Sequence, residues 1–135
     1  ISGLYLLKKG NLKKNTVVVT HYTNLAFDDL IKKNKGKVVR VRNGDRYVVE
    51  EMSKQGYNVG GEYTGHLICS DYNSTGDGMI DGLQLLRIMK EKNQKLSELA
   101  SVLNKYPQVL VNVKVKEKTS GSGERGCWFS DCDPF

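Results

Sequence analysis

Cysteine and histidine are scarce in this chain: three cysteines and two histidines stand among 135 residues. Three cysteines are too few, and of the wrong parity, for a fold framed by disulfides. With His21 and His66 as the sole histidines, no Ser-His-Asp or Cys-His arrangement can be assembled from the sequence. Apolar runs stop at about four residues, far short of the roughly 20 needed to span a bilayer, so no membrane partner is expected. No secretory signal opens the chain, and a cytoplasmic setting is expected. The first residue is Ile1 rather than Met, as in a piece of a longer polypeptide. No internal repeat is visible.

What is present describes a globular domain. Hydrophobic residues make up 39% and charged residues 27%, a balance that excludes a disordered chain. The length suits one domain with a radius of gyration of about 14 Å, which buries roughly two thirds of its unfolded surface. Lys plus Arg is 21 against 15 for Asp plus Glu, a net charge of +6. The surplus clusters at Lys8, Lys9, Lys13 and Lys14, then at Lys32, Lys33, Lys35, Lys37, Arg40 and Arg42. No stacking aromatics interleave with these residues, so nucleic acid is not the expected partner. Several precede Gly10 or Gly36, where cations favour a helix C-terminus. A phosphate-bearing small molecule remains compatible.

The order of elements follows from periodicity. Residues 1–9 read as a helix stopped by Gly10. Thr16 to Thr20 is a β-branched run, the mark of a buried strand. Asn24 is positioned to cap a helix with Ala26, Phe27, Leu30 and Ile31 on its apolar side. Lys37 to Arg42 is a second strand, and the βαβ spacing demands a parallel, right-handed crossover. Asp45 is the expected cap of a third helix carrying Val48, Val49 and Met52, with Gly56 as its stop. Tyr57–Gly60 and His66–Ser70 are short strands joined by five residues that allow a hairpin. Ser74 or Thr75 is expected to cap a long helix to about Lys92, with Met79, Ile80, Leu83, Leu86 and Met89 at helical spacing. A shorter helix carries Leu96, Leu99, Ala100 and Leu103. After Pro107, residues 109–116 alternate as a half-buried strand that leaves the domain. The fold class is therefore α/β: a three-layer α/β/α body with a mixed sheet of about four strands.

Three features bear on chemistry. Gly61-Glu62-Tyr63-Thr64-Gly65-His66 places a carboxylate, a hydroxyl and an imidazole between glycines that let backbone approach a ligand. Glu62 can accept from two hydroxyls, and Thr64 can donate and accept. That equipment suits a sugar, and a plain hairpin turn explains it equally. Asn73 to Gln84 has the glycine of a calcium loop but Asn and Gln where acidic ligands belong, so a capped helix N-terminus is the simpler reading. Cys69 reads as a buried thiol. Cys127 and Cys132 flank a short loop with Trp128 and Phe129, beyond the linker Ser120-Gly121-Ser122-Gly123. No further soft ligands accompany that pair, so it is not read as a metal site.

The six-residue loop resembles the Gly-Glu-x-Ser-Gly-His sugar loop of the α-D-phosphohexomutases. Asn43-Gly44-Asp45-Arg46-Tyr47-Val48, Gly56 to Glu62, Asp71 to Gly78, Leu96 to Ala100 and Lys105 to Val113 are similar to stretches of the phosphoglucosamine mutase branch of that family. The resemblance runs in order over residues 1–118. It implies the third, sugar-binding domain at 1–107, the first strand of a fourth domain at 108–118, and an unrelated tail at 119–135. In the full-length enzyme it implies interconversion of glucosamine 6-phosphate and glucosamine 1-phosphate through a phosphoserine, with magnesium screening the transferred charge, on the route to cell-wall precursors.

Carried over residue by residue, the resemblance makes Glu62 and Thr64 sugar-hydroxyl ligands and His66 the residue that closes their loop. Gly44, Asp45 and Arg46 would form a neighbouring substrate-facing loop. The Ser-His-Asn-Pro nucleophile segment, the Asp-Gly-Asp-Gly-Asp-Arg metal loop and the Arg-x-Ser-Gly-Thr-Glu-Pro phosphate loop do not occur. No catalytic residue and no bound cofactor or metal is therefore expected in this chain, and the isolated chain is expected to be inactive. Its expected partners are a sugar phosphate and the missing mutase domains. Tyr63 stands where the branch commonly has Gln, Thr64 where it has Ser, and His21-Tyr22-Thr23-Asn24 departs from the usual Met-Ser-Asn. Self-association through the unpaired strand at 109–116 is a further expectation. The alternative reading is an engineered or recombined scaffold that displays the Cys127–Cys132 loop, without catalysis.

Overall fold

The computed structural model describes residues 1–109 and 111. The chain forms α1 (Ser2–Lys9), a 3-10 turn (Lys13–Asn15), β1 (Thr16–Thr20), α2 (Ala26–Lys33), β2 (Lys37–Val41), α3 (Asp45–Gln55), β3 (Val59–Gly61), β4 (Leu67–Cys69), α4 (Gly78–Lys92) and α5 (Leu96–Ala100). The strands make one four-stranded sheet in the order β2-β1-β3-β4. β1 runs parallel to both neighbours, and β4 closes the sheet antiparallel to β3. The three-layer mixed-sheet expectation holds.

Composition explains the order. Thr16-Val-Val-Val-Thr20 is buried at every position, as a strand flanked by strands and covered on both faces must be. From β1 the chain crosses to β2 through α2, then back past β1 to β3 through α3. Two right-handed crossovers in opposite directions put their helices on opposite faces. Each face has its own core. Leu12, Val17, Val19, Ile31 and Val59 pack with Leu6, Leu7 and Phe27 on one side. Val18, Val48, Met52 and Ile68 pack with Val49 and Tyr57 on the other. Each such buried aliphatic contributes about 1.5–3 kcal/mol of transfer free energy.

Helix ends correct four expectations. The residue preceding α3 is Gly44, while Asp45 is the first helical residue and accepts from the Arg46 N–H at 2.8 Å. The α4 cap is Asp77, not Ser74 or Thr75, because its carboxylate accepts from both Met79 and Ile80 N–H, at 3.0 and 3.1 Å. An ionised acceptor at a positive helix end outcompetes a hydroxyl. Asn24 accepts from the Ala26 N–H at 3.1 Å, yet the residue flanking α2 is Leu25. The last helix is shorter than expected and ends at Ala100.

The lysines divide by place. Lys8, Lys9, Lys32 and Lys33 occupy the last turns of α1 and α2 as expected. Lys13 instead pairs with Asp71 at 2.8 Å. Beside it, Asn58 is 1% exposed and fully bonded. It accepts from Lys13 N–H and donates to Asn11 C=O and the Asp71 carboxylate. This ties the 3-10 turn to the base of the β3–β4 hairpin. β3 starts at Val59 rather than Tyr57.

Val109 and Val111 are exposed and lie outside any strand. The rest of the expected 109–116 strand, the linker and the Cys127–Cys132 loop lie outside the described residues. Among the described residues no helix is long and apolar enough to cross a membrane.

Candidate sugar-phosphate site

The parallel strands β1 and β3 end on the same edge of the sheet, the usual place for ligands in open α/β sheets. Three loops meet there: residues 21–25 after β1, 42–44 before α3, and the 62–66 hairpin turn. The hairpin turn is closed by Glu62 N–H to His66 C=O at 2.9 Å and Gly65 N–H to Glu62 C=O at 3.3 Å. Gly65 has φ +106° and Gly44 has φ +123°, conformations that side-chain-bearing residues rarely adopt.

Glu62 is the hub. Its side chain is 10% exposed. One carboxylate oxygen accepts from the Gly44 N–H at 3.1 Å. The other accepts from the Thr64 hydroxyl at 2.7 Å and faces His66 Nδ1 at 3.2 Å. A proton on Nδ1 gives Glu62 a third donor and leaves His66 Nε2 as an acceptor. The His66 side chain is 57% exposed. Of the residues named from sequence, Gly44, Glu62, Thr64 and His66 thus converge. Asp45 and Arg46 do not join them in any bond of the site. Asp45 bonds to the Arg46 amide, and Arg46 runs along α3 to Glu50 at 3.4 Å and over the Tyr47 ring.

A cleft of about 340 Å³ opens beside the loop, lined by Thr23, Phe27, Gly61, Tyr63, His66 and Leu85 among others. That is the size of a small-molecule site. Among the described residues no three His, Cys, Asp or Glu side chains converge as metal ligands. The Asn43–Arg46 segment carries a single carboxylate, Asp45, and so does not fit a magnesium site.

Several supporting residues escaped the sequence reading. Arg40 is not a solvated cation. It forms a fork with Asp28, both side chains being 14% exposed. Its remaining N–H groups donate to the carbonyls of Thr20, His21 and Thr23 at 3.3, 2.9 and 2.9 Å. The first loop is therefore held by one guanidinium. Tyr22 in that loop meets the exposed Tyr63 ring edge-on at 5.7 Å, and its N–H donates to the Asn43 side chain at 3.4 Å. Asn24 binds the returning chain: it accepts from Tyr106 N–H and donates to Tyr106 C=O and Gln108. Residue separations above 80 give such contacts no local signal.

Known proteins share this fold. The family phosphoglucomutase/phosphomannomutase, α/β/α domain III, matches residues 1–106. The chain belongs to that family and is a domain III segment of it. It is 55% identical over 113 residues to a phosphoglucosamine mutase of Geobacter metallireducens, covering 84% of this chain and 25% of that protein. It is 54% identical over 118 residues to one of Geobacillus kaustophilus, covering 87% and 26%. One of Ligilactobacillus salivarius is 51% identical over 118 residues, with the same coverage. The chain thus spans about a quarter of the length of these curated relatives. Among solved structures, a putative phosphomannomutase from Thermus thermophilus shares the fold, with TM-score 0.65, 22% identity and coverage of 75% of this chain and 23% of that one. A phosphoglucomutase/phosphomannomutase family protein from Burkholderia thailandensis does so with TM-score 0.64, 20% identity and coverage of 76% and 23%.

Proposed function

We propose that this domain grips the sugar ring of glucosamine 6-phosphate and glucosamine 1-phosphate within a phosphoglucosamine mutase. The single observation that supports this best is the Glu62 carboxylate. It is nearly buried, fixed from one side by Gly44 and from the other by Thr64 and His66. A preorganised carboxylate that keeps one lone pair, on the oxygen that Gly44 holds, accepts from a sugar hydroxyl or amino group at the cleft with little ordering cost. Thr64 and His66 Nε2 extend the same edge. Asp45 and Arg46 stand on the first turn of α3 next to Gly44, so their share is contact with the outer part of the substrate. Phosphoryl donation, magnesium and phosphate clamping belong to other parts of the full-length enzyme, and the isolated chain turns nothing over. Residues 1–107 are the sugar-binding domain, 108–118 open the next domain, and 119–135 are an appended tail.

The test is a titration of the ¹⁵N-labelled chain with glucosamine 6-phosphate, followed by amide shifts. Weak saturable binding, with a Kd on the order of 1 mM, is expected to move Gly44, Glu62, Thr64, Gly65 and His66. Inorganic phosphate alone is expected not to reproduce the pattern, and Glu62→Gln is expected to abolish it. Shifts confined to another surface, or unchanged binding in Glu62→Gln, overturn the reading.

A further inference from the structure

Helix α4 is apolar on two opposite sides. Ile88, 2% exposed, faces the body of the domain, with Ile80 and Leu85 half-buried. On the other side Met79, Leu83 and Leu86 are 81%, 62% and 60% exposed. Their i, i+4, i+7 spacing aligns them as one stripe. A helix at a domain surface ordinarily turns a polar face outward, and one that is apolar all round is covered on both sides. α5 follows in contact with α4 and adds exposed Leu96 and, just beyond its end, Val102.

Gly82 points the same way. It lies inside α4 on the flank of the stripe, where glycine costs about 1 kcal/mol relative to alanine. A Cβ built on Gly82 meets no atom within 4 Å, nor does one on Gly78. Nothing among the described residues requires a glycine there. A backbone packed closely from outside would require one, because only glycine leaves the helix surface open to it.

The matched segment makes up only 25–26% of the length of the curated relatives, so most of the full-length polypeptide lies outside this domain. We propose that the Met79–Leu83–Leu86 stripe seats another domain of the full-length polypeptide, which lays an apolar surface across it and approaches Gly82 closely. A single helix stripe falls short of the roughly 800 Å² per partner that a free dimer needs. A domain tethered in the same chain manages with less, because tethering supplies a high effective concentration. The inference rests on family membership and not on the sugar reading.

The experiment is labelling of Met79→Cys with a maleimide, in a Cys127→Ser/Cys132→Ser background. It is made in this chain and in a chimera in which residues 1–118 replace the matched segment of the Geobacillus kaustophilus relative. The expected result is rapid labelling in the chain alone and at least tenfold slower labelling in the chimera. Adding Leu83→Asp is expected to restore the fast rate in the chimera. Hydrogen exchange of the matching helix in the unmodified relative, against its excised domain, gives the same readout independently of how the chimera folds. Equal rates in both contexts overturn the proposal. So does protection in the chain alone, whether concentration-dependent, which indicates a second copy, or independent of concentration, which indicates the chain's own remaining residues.

Discussion

Arg40 offers the sharpest test of how the site edge is held. Arg40→Met removes every donor of the guanidinium at once. Asp28 is left ionised at 14% side-chain exposure, and the carbonyls of Thr20, His21 and Thr23 lose their partner. Breaking a buried pair from one side typically costs about 3–5 kcal/mol. Because one carbonyl contact is solvent-exposed, the lower end applies, about 3 kcal/mol. For a domain of this size that lowers Tm by roughly 10–15 °C. Arg40→Met/Asp28→Leu removes the stranded charge as well, and a loss of about 1 kcal/mol is expected to remain for the carbonyls. The second substitution is thus expected to recover about 2 kcal/mol of the loss. Arg40→Lys keeps the charge but not the fork and is expected to fall between the two. Urea unfolding monitored by circular dichroism measures all four proteins. A loss below about 1 kcal/mol in Arg40→Met, or no recovery in Arg40→Met/Asp28→Leu, would refute the reasoning.

Two further outcomes follow from other contacts. A Cβ on Gly60 would lie 2.4 Å from Met52 Sδ, 2.5 Å from Val48 Cγ1 and 3.2 Å from Val18 C=O. Gly60→Ala is therefore expected to destabilise by about 1–3 kcal/mol, read as a lower urea midpoint with unchanged slope, and an unchanged midpoint would disprove the tight fit. The Asp77 carboxyl is held below its ordinary value, first by the Ile80 N–H and then by the Met79 N–H. Its contribution is thus complete above the ordinary carboxylate range and is lost as pH falls through the lowered folded value. From about pH 5 downward the wild type is expected to lose stability more steeply than Asp77→Asn. Part of the slope persists in that variant, because Asp71 is lowered by Lys13 and Asn58. Parallel curves would contradict the capping role.

The elements and their layering were already written in the residue order. A β-branched run with no charged position has to be a central strand. Strand–helix–strand spacing forces parallel crossovers, and glycines at 10 and 56 stop helices in the left-handed conformation they adopt. Glu62, Thr64 and His66 were legible as a group because they lie within five residues and a hairpin turn brings them together. The chemistry between distant residues was not legible. Gly44 joins Glu62 across 18 positions, and Arg40 looked like one more surface cation until the fold set Asp28 and three carbonyls around it. The periodicity of α4 likewise announced a helix with an apolar face. Which face would be buried depended on where α1 and β4 lie, and they cover Ile88 rather than Met79, Leu83 and Leu86. Local pattern encodes conformation and amphipathicity because both are short-range. Partners, desolvation and exposure are properties of the packed chain, and they take their values only when distant segments meet.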